Sequence, residues 1–211
     1  MHASSNPVST ATVIGAGALL LAGAMGIGRF AYTPLLPAMQ DALGWSVSQA
    51  GDVASANFLG YLVGALLASA LAKRRQRWTW LVIGMLLSAA TTAAGAVILS
   101  FPVWLAVRFV SGVTSAFCLV LGTVVILEFL ARGVDARRGA LHFSGVGAGI
   151  VISVVVIELA KAAGMSMSGR WGALGLASML LIGGAWFVLR QLPRSAATNM
   201  SPSTAAANAA P

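Results

Sequence analysis

Carboxylates and thiols are scarce in this chain: of 211 residues, five are Asp or Glu and one is Cys. A lone cysteine, Cys118, leaves no disulfide framework and no thiolate metal site, and within an apolar run it reads as a small buried residue. Catalytic signatures are missing as well. There is no G-x-S-x-G, no H-E-x-x-H, no His and Cys at metal-ligand spacing and no glycine-rich phosphate loop. Ser144 has His142 close by, but residues two apart on a helix point in different directions, so an intramembrane enzyme is a distant alternative. The chain reads as a non-enzyme that needs no cofactor. Charge of any kind is thin, at 9% of residues against 58% hydrophobic, with a mean hydropathy of +0.89. Such a chain does not dissolve in water.

What is present is a series of six apolar segments, Val13 to Leu36, Val47 to Ala72, Trp78 to Leu99, Val103 to Leu127, Ala140 to Ala163 and Trp171 to Leu189. A helix needs roughly 20 apolar residues to cross the bilayer core, and each run is about that long. Barrel strands would alternate polar and apolar residues, which these runs do not. Backbone amides in lipid must pair within their own segment, which leaves helices. The sequence therefore predicts an all-α integral membrane protein with a lipid bilayer as its first partner. Residues 1–12 form an amino-terminal tail, 13–192 a six-helix transmembrane domain, and 193–211 a tail rich in Ala, Ser, Thr, Asn and Pro that cannot bury enough surface to order itself.

Cations set the expected orientation. Lys73, Arg74, Arg75 and Arg77 lie in the second-to-third loop, Arg132, Arg137 and Arg138 in the fourth-to-fifth, and Arg190 and Arg194 after the sixth segment. The intervening loops hold only Lys161 and Arg170, plus the acidic Asp41, so nine cations oppose two. The positive-inside bias places both termini in the cytoplasm, with the plasma (inner) membrane as the location. Because the basic residues are dealt out to loops on one side, the net charge of +8 is a topology signal and no nucleic-acid partner is implied. The first segment lacks the basic start and short apolar centre of a signal peptide, and is read as a retained helix.

Polar groups inside the spans carry the functional reading, because a mid-helix charge costs on the order of 2.5 to 3.5 kcal/mol on insertion scales. Arg29 falls on a stripe with Ala18, Ala22, Gly26 and Thr33, and Arg108 on one with Gly112, Ser115 and Gly122. Small and polar stripes suit a water-filled cavity or a tight helix contact. Either the two arginines reach the outer interface or pair with Asp52 or Glu158, or their planar donor forks form a pocket for an anionic solute. Asn57 and Tyr61 share a face of the second helix with Gly64, and the Gly60 to Gly64 spacing suits close helix packing. Glu158 and Asp52 are the proton-coupling candidates, while a dipole contact at a helix start is the plainer role for Asp52. His142 reads as an interfacial hydrogen-bonder.

The run Gly28-Arg29-Phe30-Ala31-Tyr32-Thr33-Pro34-Leu35-Leu36-Pro37, then Leu43-Gly44-Trp45, then Asn57-Phe58-Leu59-Gly60-Tyr61-Leu62, resembles the amino-terminal half of the YbfB/YjiJ-type branch of the major facilitator superfamily. Arg108-Phe109 with Gly112 is similar to that superfamily's fourth-helix motif, and His142 to Ile150 to the branch's fifth helix. The resemblance implies half of a major facilitator superfamily fold, secondary transport by alternating access, and a cavity among the first, second, fourth and fifth helices. It places Arg29 and Arg108 on cavity-facing helices, with Asn57 and Tyr61 as further substrate-binding candidates. The superfamily's second-to-third loop carries Gly and Asp before its basic cluster as part of an intracellular gate. Here Ala72 stands about where the Asp is expected. The family has two six-helix halves and this chain matches one. The implied activity is transport of a small solute, anionic where the two arginines face it, by a half-length or truncated carrier, as a homodimer or beside a second transporter half. A non-transporting membrane interaction protein or an inactive half is the alternative.

Overall fold

The computed structural model describes residues 8–73, 75–131 and 136–192, which are helical almost throughout, with no strand among them. Residues 1–7 of the predicted amino-terminal tail, the predicted tail 193–211 with Arg194, Arg74, Arg132 and the side chain of Arg137 lie outside the described residues, while Thr10 to Thr12, predicted as tail, already belong to the first helix.

The first span is broken where the sequence predicts one continuous helix. Helix α1, Thr10–Leu21, starts at Ser9, whose side chain accepts from the Thr12 amide at 3.2 Å. It widens into a π-helical stretch, Ala22–Ile27, where Gly28 N–H donates to the Gly23 carbonyl at 2.9 Å, five residues back. After a turn at 28–31, α2 (Tyr32–Leu43) continues with Pro37 inside it and ends at Gly44, whose φ of 67° is the left-handed cap a glycine takes at no steric cost. The extra residue per turn of a π stretch shifts the face that later side chains present. That separates Arg29 from the Ala18, Ala22 and Gly26 stripe.

Helix α3, Val47–Ala72, has the predicted bounds, fixed at its start by a capping box between Ser46 and Gln49. Helix α4 is Arg77–Ala94, α5 is Phe101–Leu130 and α6 is the short Ala136–Gly139. A 3-10 turn, Ala140–Phe143, then leads into α7, Ser144–Ala162, which therefore starts later than the sequence predicts. Helix α8, Met167–Leu189, starts a turn early because Ser166 caps the Gly169 amide at 3.2 Å.

Among the described residues, five helical stretches are long and apolar enough to cross a membrane, where the sequence predicts six. The exception is α4. Its 18 residues begin on Arg77 and stop at Ala94, short of the predicted Leu99. At about 1.5 Å per residue it reaches about 27 Å, just under a hydrocarbon core of about 30 Å. Beyond Ala94 the chain tightens to bonds three residues back, such as Ala96 N–H to the Ala93 carbonyl at 3.0 Å, and Gly95 lets the Trp171 ring lie against its backbone.

The broken first span is the most enclosed, packing on α7, α8, α5 and α4. Helix α3 lies along α5, while α4 packs on α5 and α8. Two apolar clusters mark the ends of the bundle. One, with Trp45, Ile98, Trp104 and Trp171, gathers the α2–α3 loop and the starts of α5 and α8. The other, with Val8, Val13, Leu130, Leu189 and Leu192, gathers the chain start and the ends of α5 and α8. Outward-facing residues such as Phe58, Leu62, Leu66, Val151 and Leu159 are apolar and exposed, which suits hydrocarbon.

Candidate functional site

Breaking a helix inside a bilayer frees carbonyls that water cannot reach. In this bundle side chains from neighbouring helices answer them. Arg108, on α5, donates from Nη1 to the Gly28 carbonyl at 3.0 Å and from Nη2 to the Arg29 carbonyl at 2.9 Å. Ser111, one turn on, donates to the same Gly28 carbonyl at 3.3 Å, and Ser178 on α8 donates to that of Gly23 at 3.2 Å. Tyr32 lies under the Arg108 guanidinium, its ring centroid 5.0 Å away, and donates its hydroxyl to the Ala50 carbonyl at 2.8 Å. Hydrogen bonds to charged groups contribute about 1.5 to 3 kcal/mol each, so two of them roughly match the insertion cost of the charge. Arg108 fastens the break in the first span to α5.

Asn57 belongs to the same construction. It is buried and donates to the Arg108 carbonyl at 2.9 Å, joining α3 to α5. The helices meet there at backbone distance. A methyl added to Gly60 would run into the Phe109 carbonyl, one on Gly64 would stand 2.6 Å from that of Val113, and one on Gly112 would strike the Asn57 carbonyl. The Gly60 to Gly64 spacing thus serves the close packing the sequence suggests. The Ala18, Ala22 and Gly26 stripe is also a tight contact, because Gly145 and Gly149 of α7 press against the backbone of Ala18 and Ala22.

Arg29 is treated differently. It is 8% exposed, and its Nη1 is buried with no hydrogen-bond partner. Its guanidinium sits over the Tyr61 ring at 4.0 Å, the Phe58 ring at 4.9 Å and the Phe30 ring at 5.7 Å. Cation–π contacts contribute from about 0.5 to about 2 kcal/mol when desolvated, which offsets a buried charge while satisfying none of its donors. Both arginines are buried, and among the described residues neither pairs with an acid. The ion pair among the described residues is Arg77 with Glu128, at the opposite end of the bundle. Asp52 and Glu158 lie exposed on α3 and α7, toward the tryptophan-rich end. The structure therefore brings Arg29, Asn57, Tyr61 and Arg108 to one crossing of α2, α3 and α5 and leaves Asp52 and Glu158 outside it. Both arginines lie within the bundle.

Two features escape the sequence reading. Glu128 pairs with Arg77 in a bidentate contact, 2.6 Å on one arm and 2.5 Å on the other. An acid thus does meet the basic loop, from the end of α5 and not from the position of Ala72. One carboxylate among few, on the same side as the basic loops, was the available signal. His142 is fully buried between the Thr123 hydroxyl, 3.0 Å from Nε2, and the Gly139 carbonyl, so it ties α5 to α7 inside the protein and not at an interface. The carbonyl can only accept, so Nδ1 carries the proton and Nε2 accepts from Thr123.

An all-helical bundle of membrane-length spans, with a broken first span clamped by an arginine of another helix, has the architecture of a major facilitator superfamily half. The comparison with known families agrees in kind: the profile described as "Uncharacterised MFS-type transporter YbfB" matches residues 8–211. The chain belongs to that family. It is also 30% identical over 179 residues to the "Chloramphenicol resistance protein" of Streptomyces lividans, an alignment covering 83% of this chain and 44% of that relative. The chain thus spans less than half the length of the curated relative it matches.

Proposed function

We propose that the chain is one half of a secondary-active carrier that moves a small, anionic solute across the plasma membrane by alternating access, with both termini in the cytoplasm. The observation that carries this reading is the buried Arg29 guanidinium, partnered by rings alone, beside a break in the first span. A purely structural bundle gains nothing from such a charge, since each intramembrane ion is costly unless it faces protein partners or water. Arg29 and Tyr61 contact the solute, while Asn57 and Arg108 hold the wall that presents them. Asp52 and Glu158, on the uncovered faces of α3 and α7, are the proton-coupling candidates once a second copy or a separate half encloses them. The resistance named for the relative makes chloramphenicol, a neutral molecule, the solute to measure beside the anions.

Cells with and without the chain are loaded with labelled chloramphenicol and, separately, with labelled aryl acids, and retention is followed at two pH values. Retention of at least one aryl acid should be several-fold higher without the chain, with a pH-dependent ratio, whereas an effect on chloramphenicol alone would keep the transport reading and overturn the anionic one. If no solute gradient depends on it at either pH, while a partner protein leaves the membrane in its absence, the chain is an interaction protein and the transport reading is wrong.

A further inference from the structure

We propose that Arg29 and its aromatic collar form a site selective for flat, lipophilic monoanions of the aryl carboxylate class. The inference rests on the transport reading above and names the solute class of that same site. Two guanidinium groups lie at one turn of the bundle, since Arg108 bonds the Arg29 carbonyl directly, and no acid pairs with either among the described residues. Arg108 spends its Nη1 and Nη2 donors on backbone carbonyls. Arg108 keeps a buried, unpartnered Nε, but its two terminal nitrogens are taken, so the fork that can meet an oxygen anion is that of Arg29, whose Nη1 is buried and unpartnered.

The collar sets the rest of the ligand. Tyr61 and Phe30 are half-buried, whereas Phe58 is 61% exposed, so the approach to the guanidinium passes along an open phenyl face. An aryl group can stack there while its carboxylate takes the planar fork of donors. A small hydrated anion such as acetate would lose its water for a site whose collar is mostly ring carbon, with the Tyr61 hydroxyl as the one polar group of the collar, and would bring no aryl face to stack on it. A neutral aryl amide would keep the stacking and lose the charge-assisted bonds.

The test uses the full chain purified in neutral maltoside detergent, with benzoate, benzamide and acetate titrated by calorimetry. Benzoate should bind at least about tenfold more tightly than either of the others. Arg29→Gln should abolish the preference, Arg29→Lys should retain part of it, and Phe58→Ala, at an exposed position that leaves folding intact, should weaken benzoate several-fold while leaving acetate unchanged. Benzamide binding as tightly as benzoate, or Phe58→Ala without effect, overturns the assignment even if the Arg29 variants do not fold. Phosphatidylglycerol added to the detergent tests the other source of an anion. If it removes all response to benzoate while phosphatidylcholine does not, the guanidinium serves a lipid headgroup and the proposal fails. A parent that binds benzoate yet supports no gradient keeps the site and loses the transport reading; a parent that moves solute but ignores benzoate does the reverse.

Discussion

Arg29 and Arg108 look alike in the sequence, and their surroundings separate them. Both are rare charges in apolar runs, which is why the sequence singles them out, but the chain gives no sign that Arg108 is needed by the backbone. The reason is that the break it serves has no proline within it. Gly23, Gly26 and Gly28 are the local signal for the wide turn and the bend after it, and in a membrane helix such glycines mark close packing just as often. Arg108→Gln should remove the charge-assisted bonds to Gly28 and Arg29, lowering stability by about 1.5 to 3 kcal/mol per bond lost. Thermal unfolding in detergent should show a fall of several degrees, with Arg108→Lys between parent and Gln. An Arg108→Gln protein as stable as the parent would mean that the break needs no clamp. The Arg77 and Glu128 pair is a contrasting case, because the glutamate side chain is 41% exposed. Surface pairs contribute about 0 to 1 kcal/mol, so Glu128→Gln should leave unfolding nearly unchanged.

At the scale of elements, helix existence was legible and helix shape was not. Apolar length alone predicted the bounds of α3, and the capping box at Ser46 and Gln49, an equally local device, holds its start there. The division of the first span and the early end of α4 depend on contacts from distant residues, Arg108 on the one and Trp171 on the other, and no local pattern encodes those. Glycines show the same split. Gly112 has the Asn57 carbonyl against it, whereas Gly147, on the outer face of α7, has nothing within 4 Å. Gly112→Val should therefore prevent α3 and α5 from meeting and abolish folded, monodisperse protein. Gly147→Ala should stabilise α7 by about 0.5 to 1 kcal/mol, as alanine loses less backbone freedom on entering a helix. Size-exclusion profiles and unfolding curves of the two proteins distinguish these outcomes, and equal behaviour would contradict the packing described.

For the whole molecule, the sidedness of charge and the packing of the ends point the same way. Trp45 meets Phe101 at 5.7 Å and Trp104 at 5.9 Å, and Trp104 meets Trp171 at 5.3 Å, so three loops with few cations share one end. Arg77 is tied to Glu128 at the other, where the chain start and the end of α8 also converge. Aromatic belts form at either membrane interface, so the bias of Lys and Arg to one end is the signal that sets orientation during insertion. With Cys118 replaced by alanine, single cysteines at Ser48 and Ser100 should react in intact cells with a maleimide that cannot cross the membrane, and one at Gln76 should react only after the cells are opened. Reaction at Gln76 in intact cells would invert the orientation. Self-association is decided on the same proteins. Because Arg29 and Arg108 are already enclosed, any pairing of this chain with another copy must draw on the apolar faces of α3 and α7 and on their exposed Asp52 and Glu158. Toward the end of the bundle, where Asp52 and Glu158 lie, an exposed acid costs less than the roughly 2.5 to 3.5 kcal/mol of mid-depth, and a partner's donors offset what remains. Light scattering of the detergent-solubilised protein should therefore give twice the chain mass, and Asp52→Asn with Glu158→Gln should shift it toward the monomer. A strict monomer for the parent, with no crosslink in native membranes between cysteines placed at Val151, would show that these faces meet lipid alone.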